Sequence, residues 1–185
     1  MSRGNDDSAA GRRPFFRPWK GRRYAEGFRG RKLLILGEAH YCYRDRDGQI
    51  VADLGRDFTA DCVRARVAGV DPGTNFWRFI EKAVGGPAAD PASFWPAVAF
   101  YNYVQRPIQH GPRVAPTRDM WADAAPAFLT ILNRLRPDRL LVCGMRLWHH
   151  MPATARMIRP TLQVYRLTDG TSVPTLATVH PSSGR

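Results

Sequence analysis

Long apolar runs are missing from this chain: no stretch approaches the roughly 20 residues that cross a bilayer, so no membrane-spanning helix is expected. The opening residues have no apolar core of the kind a secretory signal carries, and a cytoplasmic location is expected. Cysteine is scarce. Cys42, Cys62 and Cys143 are odd in number and far apart, which gives neither a disulfide framework nor a zinc ribbon and fits a reducing compartment. Several signatures are absent too. No Gly-x-Gly-x-x-Gly follows a strand, no phosphate-binding Walker loop occurs, and there is no Gly-x-Ser-x-Gly elbow, which argues against dinucleotide binding, a P-loop and an α/β-hydrolase. The five histidines show no His-x-His or His-x-x-x-His spacing. The adjacent His149 and His150 point about 100° apart on a helix, so no metal is expected.

Acidic residues are also few. The 185 residues hold 28 Lys and Arg against 16 Asp and Glu, a net charge of +12 that makes a polyanion a natural partner. Much of the excess lies in residues 1–32, where ten basic residues meet three acids. Phe15, Phe16, Trp19, Tyr24 and Phe28 are interleaved with them. Arginine with aromatics grips phosphate and stacks on bases; the alternative is that these rings dock on the core. Residues 1–30 are read as a basic, partly disordered arm and residues 31–185 as one domain.

The hydrophobic pattern alternates between strand and helix. Residues 31–37, 96–104 and 139–144 are short apolar runs of the kind that form strands buried on both faces, and 162–167 and 174–179 are two more. Between them, 59–70 and 75–84 read as helices, 38–58 and 105–116 as loops, and 145–151 as a short helix stopped by Pro152. Thr117 caps a longer helix whose stripe, Trp121, Ala125, Phe128, Leu132 and Leu135, recurs every 3.6 residues, with Pro126 inside it. This order predicts an α/β fold, a three-layer α/β/α sandwich around a mostly parallel sheet.

In such sheets, ligands bind beyond the carboxyl ends of the strands. Three of those ends carry chemistry here: Gly37-Glu38-Ala39-His40-Tyr41, Phe100-Tyr101-Asn102-Tyr103 and His180-Pro181-Ser182-Ser183. An acid, an amide and an imidazole on one rim make a pocket for a polar, planar ligand.

Taken in this order, the three ends resemble the uracil-DNA glycosylase superfamily. Its housekeeping members carry Gly-Gln-Asp-Pro-Tyr-His after the first strand and other branches Gly-Glu-x-Pro-Gly, to which Gly37–Glu38 is closer. Asn102 stands where the family has a base-reading Asn, and His180-Pro181-Ser182 matches its His-Pro-Ser loop. Trp121, Pro126 and Phe128, followed by residues 136–144, are similar to the Pro-containing helix and Gly-ended strand of the iron–sulfur branch. The resemblance spans residues 31–183. It implies an enzyme that flips a deaminated or modified base out of single-stranded or duplex DNA and cuts its N-glycosidic bond, as in base-excision repair. Glu38, His180 and His40 would be catalytic: His180 donating to the base carbonyl, Glu38 orienting water or stabilising the cationic sugar, and His40, in place of the usual Pro, handling a proton. Asn102 would read the base edge, Tyr41 would close the pocket beside it, and Phe58 is expected to stack. Ser182 and Ser183 would hold phosphates. Three scattered cysteines cannot hold an iron–sulfur cluster, so no cofactor is expected, and a monomer is. Ala39 stands where the housekeeping enzymes keep a water-activating Asp. Either Glu38 supplies that group, or the chain is a nucleobase- or nucleic-acid-binding module of the same fold. A hydrolase of free nucleosides is a further alternative.

Overall fold

The computed structural model describes residues 14–70, 75–109 and 114–181. Nine strands are present among them: β1 Trp19–Lys20, β2 Leu33–Gly37, β3 Tyr43–Arg44, β4 Ile50–Val51, β5 Ala99–Asn102, β6 Arg139–Cys143, β7 Arg156–Arg159, β8 Leu162–Arg166 and β9 Ser172–Thr178. The helices are α1 Phe58–Val67, α2 Asn75–Ile80, α3 Pro91–Phe94, α4 Arg118–Leu135 and α5 Met145–His149, and a π turn, Glu81–Gly85, prolongs α2. The fold is mixed α/β with a seven-stranded sheet in the order β1-β5-β2-β6-β9-β8-β7. Its centre, β5-β2-β6-β9, is parallel; β1, β8 and β7 are antiparallel additions at the edges.

From β2 the chain crosses through α1, α2 and α3 to β5 on one side, then returns through α4 to β6 on the other side. Crossovers of one hand run in opposite directions from β2, so the two sets of helices fall on opposite faces. The alternation of side chains shows this. Leu34, Leu36, Tyr101, Leu140 and Val142 pack with α4 and α5, while Ile35, Phe100 and Cys143 pack with Val63, Trp77, Ile80 and Phe94 on the other face. The chain leaves β2 toward β5 and β6 toward β9, so the strand order reverses between β2 and β6, and such sheets bind ligands at the carboxyl ends beside that reversal.

The α4 helix forms for the reasons visible in its sequence. Thr117 accepts a hydrogen bond from the Met120 amide at 3.3 Å, and the helix ends where Arg136, at φ 48°, takes the left-handed conformation before Pro137. Trp121, Phe128, Ile131, Leu132 and Leu135 are buried, each contributing about 1.5–3 kcal/mol. The opposite layer is tied by a buried ion pair. Arg66 on α1 donates through Nε and Nη2 to both oxygens of Glu81 at 2.9 and 2.6 Å, and Trp95 Nε1 donates to the same carboxylate at 2.7 Å.

The boundary drawn at residue 30 does not match the fold. β1 pairs with β5, Phe16 and Tyr24 are buried, and Trp19 Nε1 donates to the Trp95 carbonyl at 2.9 Å, so residues 14–30 belong to the domain and their rings mostly dock on it. Residues 1–13 of the expected arm lie outside the described residues. The expected 38–58 loop contains the β3–β4 hairpin, turned by Asp45, whose Oδ1 accepts the amides of Asp47 and Gln49 at 3.0 and 2.8 Å. No helix among the described residues is long and apolar enough to cross a membrane.

Candidate functional site

Parallel register fixes the rim. Gly37 pairs with Asn102, Leu36 with Val142, and Cys143 with Thr178, so the last residues of the four parallel strands form one row across the sheet. All four face the α1–α2 side. Gly37 is needed there, because a Cβ on it would stand 2.2 Å from Asn102 Oδ1. The missing side chain is the space the amide occupies.

The loop after β2 is sewn to the loop after β5. Tyr103 and Val104 donate to the carbonyls of Gly37 and Glu38 at 2.9 and 2.8 Å, Ile108 donates to that of His40 at 2.8 Å, and Cys42 donates to Ile108 at 3.0 Å. Backbone bonds of this kind hold Glu38, His40 and Tyr41 in place without help from their side chains.

On the α1 side, His40 is enclosed. Its Nε2 lies 2.7 Å from Thr59 Oγ1, and Asn102 Nδ2 lies 3.2 Å from both ring nitrogens. Phe16 and Phe58 set their edges against it at 4.8 and 4.9 Å between centroids. Burial pushes the imidazole down to about 4, so at neutral pH it is uncharged. His40, expected to handle a proton, stands in the structure as a buried residue in hydrogen-bond contact with Thr59 and the Asn102 amide. Phe58 is also reassigned. Its ring is taken up by His40 and by Tyr43, stacked at 6.0 Å, so it is not the free stacking face expected of it.

On the α5 side, Glu38 is buried and its two oxygens accept from Arg146, Nε at 2.8 Å and Nη2 closer still. The Tyr41 ring lies in the same neighbourhood, and its pKa is raised by burial and by the Glu38 charge. His180 stands between the two sides. A Cβ on Gly144 would lie 3.3 Å from His180 Cδ2, and the Phe76 ring sits 5.8 Å from the imidazole. Its pKa is lowered, chiefly by burial; the Glu38 charge raises it and the Arg146 charge lowers it, so both groups are close enough to act on it.

Glu38, Asn102 and His180 therefore lie along one carboxyl rim of the sheet, Glu38 toward α5 and Asn102 toward α1. Ser182 and Ser183 lie outside the described residues. Arg146, Thr59 and Phe76 were not singled out from the sequence. Arg146 lies two residues past the Gly that ends the third strand, near the position that marked Glu38 after Gly37.

Among the described residues, no three His, Cys, Asp or Glu side chains gather as a metal site would require. Burial raises the Cys143 thiol to about 12, which leaves it protonated and unreactive. An apolar cavity of about 580 Å³ opens below the rim, where α2 stops covering β6 and β9, lined by Phe79, Ile80, Leu141 and Leu176 among others. Its mostly hydrocarbon lining does not match a polar heterocycle, so the candidate site is the rim above it. No protein-family model matches this chain, and no curated protein matches it.

Proposed function

We propose that this protein is a uracil-DNA-glycosylase-like α/β/α sandwich that hydrolyses the N-glycosidic bond of a deaminated or modified base in DNA. What supports the reading is the placement of Glu38, Asn102 and His180, from three distant segments, at the carboxyl ends of parallel strands of one sheet. Departure of the base leaves negative charge on its carbonyl. A neutral His180, kept so by partial burial, donates an N–H there without first giving up a proton. Asn102, its amide set by His40, pairs with the base edge and rejects bases that leave it unsatisfied. Phe76 offers its ring beside His180 for the base to rest on. The Glu38 carboxylate supplies negative potential toward the sugar as it becomes cationic. The net charge of +12 favours a DNA partner, through a salt-dependent attraction.

A second reading has its own support. Both Glu38 oxygens accept from Arg146, which stabilises the carboxylate and makes it a weaker base toward water, and a binding module without hydrolysis needs no base. Two measurements separate these readings. Oligonucleotides containing uracil or hypoxanthine, treated with the full chain and then alkali, are expected to break at the base. His180→Ala should slow this by about 10²–10³-fold, as loss of an oxyanion donor does. Salt-dependent binding of the same oligonucleotides with no base release would establish the second reading, and no binding at any salt would refute both.

A further inference from the structure

Arg146 is a rim cation that the reaction above does not use. Its guanidinium has five N–H donors in a planar fork. Glu38 takes the N–H of Nε and one of Nη2, which leaves three donors over. The pair is also polarised by depth. The Glu38 side chain is 6% exposed and that of Arg146 43%, so the carboxylate lies inside and the guanidinium at the mouth. A buried acid behind a half-exposed Arg fixes the direction of the fork before any ligand arrives, which lowers the entropy lost on binding.

We propose that Arg146 is the phosphate-recognising residue of this site, so that the ligand is a nucleotide bearing a phosphate next to the sugar of the recognised base, rather than a free base or nucleoside. This rests on reading the rim as a nucleobase site but not on hydrolysis there. The fork matches two phosphate oxygens, and charge-assisted bonds of this geometry are about twice as strong as neutral ones. Glu38 has two opposed effects. It aims the guanidinium and it also cancels most of its charge, so removing the carboxylate's charge while keeping its shape strengthens the attraction for an anion.

Calorimetric titration of the full chain tests this with three probes: inorganic phosphate, deoxyuridine monophosphate and deoxyuridine. The monophosphate is expected to bind at least about tenfold more tightly than the nucleoside, as two charge-assisted bonds would give. Glu38→Gln should tighten inorganic phosphate by about tenfold. Arg146→Gln alone would bury an unpaired carboxylate and endanger folding, so the loss variant is the double change Glu38→Gln with Arg146→Gln, checked by circular dichroism; it should abolish both effects. Equal phosphate affinity in the wild type and the double variant, or no phosphate binding by Glu38→Gln, would overturn the proposal. A purely structural ion pair predicts the first of those results. Arg146-dependent phosphate binding with no added affinity for the monophosphate would uphold the phosphate site and refute the nucleobase reading, so the two fail separately.

Discussion

The enclosed imidazole of His40 makes folding stability depend on pH in a way that can be worked out in advance. In the folded protein, burial takes its pKa from 6.5 to about 4. In the unfolded chain, nothing holds it from its ordinary value. Between those two points the unfolded chain binds a proton that the folded protein refuses, so acid favours unfolding. The stability conferred by keeping His40 neutral is complete above pH 6.5 and is lost as pH falls from 6.5 toward about 4. At 1.36 kcal/mol per pH unit, that interval amounts to about 3 kcal/mol, a large part of the roughly 5–15 kcal/mol that holds a typical domain together.

Carboxylates titrate in the same range, so the assay needs a reference that lacks only this proton. His40→Gln is suitable, because its amide can accept from Asn102 and donate to Thr59 without ionising. Urea unfolding, followed by tryptophan fluorescence from about pH 8 to about pH 4, gives both stability profiles. The wild type should lose about 3 kcal/mol more than the variant across this range. Parallel profiles would refute the reasoning, as would an imidazole signal in the folded protein that titrates at the ordinary histidine value. The same proton bears on the site: a charged His40 can no longer accept the Asn102 N–H, so base recognition should fail at acid pH before the fold does.

Two further substitutions test other parts of the construction. Gly37→Ala places a methyl where the Asn102 amide sits; the protein should still fold, while cleavage or binding of uracil-containing oligonucleotides falls on the order of 10²-fold, as an ångström-scale misplacement does. Glu81→Ala removes the buried carboxylate from Arg66 and Trp95 and should destabilise the fold by about 3–5 kcal/mol in urea titration; a change under about 1 kcal/mol would show that the network contributes little.

How far the sequence disclosed the fold follows from where the information resides. The central strands were readable because a strand covered on both faces has to be apolar along its whole length, and Leu34, Ile35 and Leu36 are all fully buried. The α4 stripe and its Thr117 cap were readable because a two-sided helix carries its period in the chain. The edges were not. Trp19–Lys20 is too short and too basic to look like a strand, and its partner lies some 80 residues on, at Ala99 and Phe100. The four residues of β7 are all exposed and bind through backbone, a group every residue has. Pro91–Phe94 was the avoidable miss: Asp90 before a Pro is a helix start, and its carboxylate does accept the Ala92 and Ser93 amides.

The candidate site divides along the same line. That Glu38, Asn102 and His180 would share a rim could be read from strand ends, because parallel register aligns carboxyl termini whatever the side chains are. Which way each group points could not, because that depends on neighbours drawn from elsewhere. His40 and Glu38 are two residues apart in one loop, yet one meets Thr59 from α1 and becomes a neutral wall, and the other meets Arg146 from α5 and becomes half of an ion pair. In a regular strand residues i and i+2 would share a face, but β2 ends at Gly37, and beyond it the loop turns Glu38 and His40 toward different helices, which decide what each does. The residue whose role changed most, His40, was judged by its chemistry in isolation, whereas its chemistry is set by the two aromatic rings that keep water from it.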